Sequence, residues 1–196
     1  VGELLLGSSS PRRQEILRYF SLPFRAVASG FDETQVPYEG RPAAYAEEVA
    51  RRKAAALVLA HPEATILTAD TVVALGSRLF LKPESHQEAK SMLSELSGKE
   101  HTVYTGVAVA QGEKLFSDVE STRVCFVELS PDEIDKYVNL LSPLDKSGGY
   151  AIQQGGGIIV KRIEGCYYNV MGLPLQTTRR LLGKAGIDLW DTIRPS

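Results

Sequence analysis

Apolar residues recur along this chain in two rhythms, and the switches between them mark out its elements. Leu4-Leu5-Leu6 is a short continuous apolar run, as expected of a strand covered on both faces. A polar turn follows, Gly7 to Ser10, and then a helix opened by Pro11, with Ser10 as N-cap and Ile16, Leu17 and Phe20 at helical spacing. Phe24–Ala28 reads as a second strand and Gly30–Thr34 as a loop. Pro42 opens a long helix reaching Ala60, whose inner face is Ala46, Val49, Ala50 and Leu57. Thr65–Leu75, TILTADTVVAL, is nearly all apolar or β-branched and predicts a central strand, returned by a Gly76-Ser77 turn through Arg78 to Leu81. Ser85 and Glu88 form a capping box for a helix that buries Ala89, Met92, Leu93 and Leu96 and stops at Gly98. Thr102–Ala110 and Lys114–Val127 predict an antiparallel pair serving as scaffold, and Ser130 and Glu133 box a further helix with Ile134, Tyr137, Val138 and Leu141 inside. Ile158–Ile163 predicts a strand, Asn169–Pro174 leads into a last helix ending near Gly183, and residues 188–196 read as a peripheral tail. No linker or repeat divides the chain, so 1–196 is expected to form one domain.

A few polar residues break these rhythms. Asp70 interrupts the central strand, where a carboxylate needs a partner, a metal or a solvent-filled cleft. Lys53 falls on the apolar face of the long helix, where an ammonium is costly unless an anion meets it or its stem snorkels. Arg12 and Arg13 stand in a helix's first turn, where the dipole disfavours cations unless an anion binds there. The hairpin returns Lys82 along the Asp70 strand, and Glu33 lies in the loop before the long helix. Asp145 to Gly157 is too polar and glycine-rich for core and is expected to let backbone approach a ligand closely.

Composition narrows the field. A net charge of −2 offers no basic face for nucleic acid, and no apolar run reaches the length of a membrane span. Cys125 and Cys166, like His61, His86 and His101, form no metal or redox motif. These features suit a cytoplasmic protein. Several cations without a GxxxxGK[ST] loop, beside the carboxylates Asp70 and Glu33, point to a polyphosphate ligand with a divalent metal. A carboxylate taking a proton from water would make the protein a phosphoanhydride hydrolase.

Six separated motifs carry a resemblance. Ser8-Ser9-Ser10-Pro11-Arg12-Arg13, Ala69-Asp70-Thr71, Lys82-Pro83, Leu96-Ser97-Gly98, Asp145-Lys146-Ser147-Gly148 and Gly172-Leu173-Pro174 together resemble the Maf family of nucleoside triphosphate pyrophosphatases over nearly the whole chain. The resemblance implies an α/β fold of α+β-like character: an elongated, mixed, largely antiparallel twisted sheet flanked by helices, with two lobes around a cleft, as in inosine triphosphate pyrophosphatases. It implies Asp70 as general base, with Glu33 assisting through Mg2+ or Mn2+ that the two carboxylates hold. Ser8, Ser10, Arg12, Arg13, Lys53 and Lys82 would hold the triphosphate. Thr71 marks the branch acting on dTTP and UTP rather than on 7-methyl-GTP, and Gln153 matches a base-reading glutamine. Leu81 and Gln154 depart from the family's usual residues. A homodimer is implied by the resemblance alone. The alternatives are a catalytically weak nucleotide-binding regulator of cell division and a 7-methyl-GTP pyrophosphatase.

Overall fold

The computed structural model describes residues 2–193. Leu4–Leu6 form β1, three wholly buried leucines, and Pro11–Leu17 form α1. Phe24–Ala26 is β2, and Pro42–Ala60 is α2, nineteen residues long. Thr65–Leu75 is β3, and its hairpin partner Arg78–Phe80 is β4. His86–Leu96 is α3, and the paired long strands Glu100–Gln111 and Lys114–Phe126 are β5 and β6. Pro131–Leu141 is α4, Val160–Glu164 is β7, and Tyr167–Met171 and Leu175–Lys184 are α5 and α6. Among the described residues no helix is long and apolar enough to cross a membrane.

All seven strands join one sheet in the order β2-β1-β3-β5-β6-β7, with β4 also on β3. The contacts of β1 with β2 and β3 are parallel and every other pairing is antiparallel. The mixed, mostly antiparallel sheet flanked by helices therefore matches the expected class. Strand alternation decides what each residue of β3 touches. Ile66 and Val72 turn to α2, packing with Ala50, Ala54 and Leu57 and with Ala46 and Val49 respectively. On the other face Leu67 and Ala69 join α1, α5 and α6, while Val73 joins α3 and α4. So α2 spans one face, whereas two separate helical groups share the other. Gly106 of β5 permits α2 to lie this close, since a Cβ there would sit 2.3 Å from the Ala46 carbonyl oxygen.

One edge of β3 is shared. β1 pairs with its start as far as Leu67, and β4 with its end from Val73 onward. Between them, residues 68–72 have no strand neighbour on that side among the described residues. The exits of β1 and β4 run towards this gap from opposite directions, so the sheet itself opens a cleft at Asp70.

Several local expectations are corrected. Ser10 is the N-cap residue of α1 but makes no side-chain cap bond, and α1 stops at Leu17, leaving Phe20 to bridge to Ile193. The Ser85 box is half formed, because Glu88 accepts from the amide of Glu84 instead of that of Ser85. Gly148, Gly149 and Tyr150 are core residues: Gly148 packs on Val73 and Gly149 on Ala89, so these glycines serve chain packing, not a ligand. The short α5 lies where only a lead-in was expected. The tail is less peripheral than its composition suggests, since Leu189 is buried among α1 and α6 residues, while 194–196 lie outside the described residues.

Candidate active site

The cleft has a volume of about 270 Å³ and is lined by β1's exit loop, the 28–33 segment, the middle of β3, Lys82 and the 145–153 segment. Ser8, Ser10, Arg12, Arg13, Glu33, Lys53, Asp70, Thr71, Lys82 and Gln153 all line it, so the fold gathers the ten candidate catalytic and substrate-binding residues in one place. Gly7 makes the tight exit from β1 possible. Its amide donates to the Leu67 carbonyl at 2.7 Å, and a Cβ there would meet Leu57 at 2.5 Å and Thr68 at 2.6 Å.

Lys53 has its anions, but they belong to the protein. Its ammonium donates to Asp70 Oδ1 at 2.8 Å and lies 2.7 Å from Glu33 Oε1. Asp70 and Lys53 are each only 7% exposed, so the pair is buried, while Glu33 faces the cleft mouth. The two carboxylates are driven apart in acidity. Burial raises Asp70 above its ordinary value and the charge of Glu33 adds to this, outweighing the pull of Lys53. Glu33 also feels burial, but Lys53, by charge and hydrogen bond, with Lys82 and Arg13, holds it below its ordinary value. One carboxyl is thus suited to taking a proton and the other to staying charged.

These two groups fit a divalent cation. Among the described residues no hydrogen bond engages Asp70 Oδ2 or Glu33 Oε2, so each carboxylate keeps one hard oxygen for a further partner. No group of three or more His, Cys, Asp or Glu residues suited to a metal occurs among the described residues, so these two carboxylates would need further oxygens, such as those of a phosphate or water, to complete a cation's shell.

Thr71 faces away from Asp70, as alternation requires, and enters a hydrogen-bond network headed by a guanidinium. Arg13 donates through Nε to the Gly172 carbonyl at 2.7 Å, through one terminal nitrogen to Ser8 Oγ at 3.2 Å and through the other to Thr71 Oγ1 at 3.0 Å. Thr71 and Thr105 hydroxyls lie 2.9 Å apart, and Thr105 donates to the Asn169 carbonyl at 2.9 Å. Because the Thr105 proton is spent there, Thr71 must be the donor to Thr105, which fixes the direction of the whole chain. Arg13 is a clamp joining β1's exit, β3 and the end of α5, and burial lowers it from its ordinary value. Arg12 crosses the cleft mouth to Asp145 at 2.8 Å, and Ser147 Oγ donates to the Thr71 carbonyl at 2.7 Å.

Gln153 brings a side-chain amide to the cleft wall, and its Oε1 is buried with no hydrogen-bond partner among the described residues. Gln154 beside it is held at φ 54°, a left-handed conformation that a glycine would adopt freely. Leu81 lines a separate groove with Arg78, Phe80 and Met92, next to Lys82 in the cleft. The β5 strand is more than scaffold, since Val103 lines the cleft and Thr105 supports Thr71. Neither residue stood out from its apolar surroundings in the sequence, and only the β3–β5 register places Thr105 opposite Thr71.

A family model described as Maf-like protein matches residues 3–185 of the chain. The dTTP/UTP pyrophosphatase of Chlamydia felis is 50% identical over 190 residues, covering 96% of this chain and 97% of that protein. The protein of the same name from Chlamydia trachomatis serovar D is 44% identical over 189 residues, with 96% of each chain covered. A nucleoside triphosphate pyrophosphatase of Chlamydia muridarum is 44% identical over 190 residues, covering 96% of this chain and 97% of that one. Among solved structures, the Staphylococcus aureus Ham1 protein overlays with a TM-score of 0.45 at 14% identity, covering 97% of this chain and 93% of that one.

Proposed function

The chain belongs to the Maf family, and from that premise we propose that it hydrolyses dTTP and UTP to the nucleoside monophosphate and pyrophosphate. The observation that carries this reading is the Asp70–Lys53–Glu33 cluster at the gap in the sheet edge, where two carboxylates of opposite acidity share one ammonium. Water attacks the α-phosphorus while Asp70 accepts its proton. The bond from the α-phosphorus to the α–β bridging oxygen breaks, and that oxygen leaves with pyrophosphate. Lys53 steadies the Asp70 carboxylate and orients it, and Glu33 keeps its charge throughout.

Asp70 and Glu33 are also the residues that would hold Mg2+ or Mn2+, whose chemistry when bound is to neutralise phosphate charge and polarise the reacting phosphorus. Ser8, Ser10, Arg12 and Lys82 line the same cleft as this cluster and receive the triphosphate, with Arg12 exchanging Asp145 for phosphate oxygens. Arg13 contributes chiefly by holding the walls together, because three of its donors already serve the protein. The base lies towards Gln153, whose side-chain amide can pair with the edge of uracil or thymine once its buried oxygen is turned to the cleft.

Pyrophosphate release from dTTP, UTP, CTP and 7-methyl-GTP, each with Mg2+ or Mn2+, tests the reading. Turnover of dTTP and UTP above the other two is expected. Turnover of none would leave a nucleotide-binding protein, and preference for 7-methyl-GTP would place it in the other branch.

A further inference from the structure

Tyr137 lies on α4 and is not among the residues lining the cleft, yet its hydroxyl is tied to the segment that carries Gln153. The Ala151 amide donates to Tyr137 Oη at 3.1 Å, and that hydroxyl lies 3.1 Å from the Gly156 carbonyl and 3.2 Å from the Ala151 carbonyl. Its single proton is therefore shared between two carbonyls while its lone pair takes the amide. Both ends of the 151–156 loop meet at this one oxygen. Gln153 and Gln154 occupy the turn between them, and the Gly156 amide closes it on the Gln153 carbonyl at 3.2 Å.

The loop is tight and carries backbone strain. A Cβ on Gly156 would sit 2.7 Å from the Ala151 carbonyl oxygen, and Gln154 is kept in a left-handed conformation that favours glycine. Burial pushes the Tyr137 hydroxyl up to about 12, so it stays protonated and available as a donor at every working pH. The α4 helix that presents it is firmly set, capped by a complete Ser130–Glu133 box and packed through Ile134 and Val138.

We propose that Tyr137 is a specificity-positioning residue: its hydroxyl pins both ends of the 151–156 loop and so holds the Gln153 amide where it meets the pyrimidine. The inference rests on the base-reading role proposed for Gln153. It assigns to α4, which touches no substrate, a part in choosing the base. The triphosphate end of the cleft is built from other elements and does not depend on this loop.

The test is a cycle of Tyr137→Phe, Gln153→Ala and the double variant, with kcat and KM for UTP and inhibition of UTP turnover by inorganic tripolyphosphate, which has no base. Tyr137→Phe is expected to raise KM for UTP about tenfold with kcat within about twofold of the parent. The tripolyphosphate inhibition constant should not move, and Tyr137→Phe should cost nothing further once Gln153→Ala is present. Additive losses, an unchanged KM, or a parallel loss of tripolyphosphate affinity would each overturn the proposal, the last by showing general damage to the fold. Should Tyr137→Phe not fold, Gly156→Ala, whose Cβ would press on the Ala151 carbonyl at 2.7 Å and the Tyr137 hydroxyl at 3.1 Å, loosens the same loop and must give the same KM-only signature. If Gln153→Ala alone leaves KM for UTP unchanged, the base-reading role falls and the buttress with it. A loss with Gln153→Ala but not with Tyr137→Phe sinks only the buttress.

Discussion

Asp70 and Thr71 are neighbours on one strand, yet they face regions of opposite character. On the α2 side, Asp70 meets a buried ammonium and a second carboxylate, and the two acids are pushed in opposite directions. On the other side, Thr71 is one link in a chain of neutral acceptors that ends at a backbone carbonyl and starts from a clamped guanidinium. The first arrangement keeps a proton acceptor ready at the cost of burying charge. The second holds one buried guanidinium on neutral acceptors and fixes the position of a wall. A gap in the strand's edge lets one cleft reach both faces, so under the proposed function strand alternation divides the site into a chemical half and a recognition half.

Removing the ammonium should be the harshest way to break the chemical half. Lys53→Met leaves Asp70 buried without its cation, a change worth about 3 kcal/mol of stability at neutral pH. Sequence reasoning alone suggests that methionine would sit well on this apolar face; the ion pair reverses that expectation. The pH dependence has a definite sign. Asp70 is already raised above its ordinary 3.8, so its protonated form favours the fold. That stabilisation is complete below 3.8 and is lost as pH rises through the raised value. Lys53→Met raises it further, so the cost measured by urea unfolding should be largest at neutral pH and fade towards about pH 4. A cost independent of pH would mean the lysine acts by packing alone.

The recognition half should respond differently. Thr71→Val keeps the shape but removes the acceptor for Arg13 and the donor to Thr105, a loss of about 1–2 kcal/mol. The expected result is a KM for UTP raised about 5- to 30-fold with kcat little changed. A fall in kcat with KM unmoved would erase the distinction between the two faces. The smallest effect belongs to the loop tip. Gln154→Gly relieves the left-handed strain and should raise stability by about 0.5 kcal/mol, after allowing for glycine's own entropy. A lower urea midpoint would show that the Gln154 side chain contributes contacts outweighing the strain.

Where periodicity was strong, the sequence was legible to the residue. Both α2 and β3 begin and end where their patterns predict, and Asp70 and Lys53 stand out because each violates its own pattern. That they satisfy each other was not legible, because sequence spacing carries no information about which helix face meets which strand residue. The gap in the β3 edge depends on where β1 and β4 stop pairing, a matter of register between segments far apart in the chain. Gly148 and Gly149 misled by composition: glycine marks close approach, but here the approaching partner is Val73 or Ala89 instead of a ligand. The helix α5 is only five residues long, too short for a period to declare itself. Tyr137 reads as an ordinary core position of α4, since periodicity reports the ring's burial and says nothing of where its hydroxyl ends.

The central claim is that Asp70 takes the proton while other groups bind the nucleotide, and Asp70→Asn tests it most directly. Asparagine keeps the shape and can still accept from Lys53, but it cannot act as the base. With binding of UTP followed by calorimetry and pyrophosphate release followed on the same preparation, the variant should bind UTP within a few-fold of the parent and turn it over about 100-fold more slowly or worse. A folded variant that binds UTP and releases pyrophosphate at the parent's rate would contradict the account.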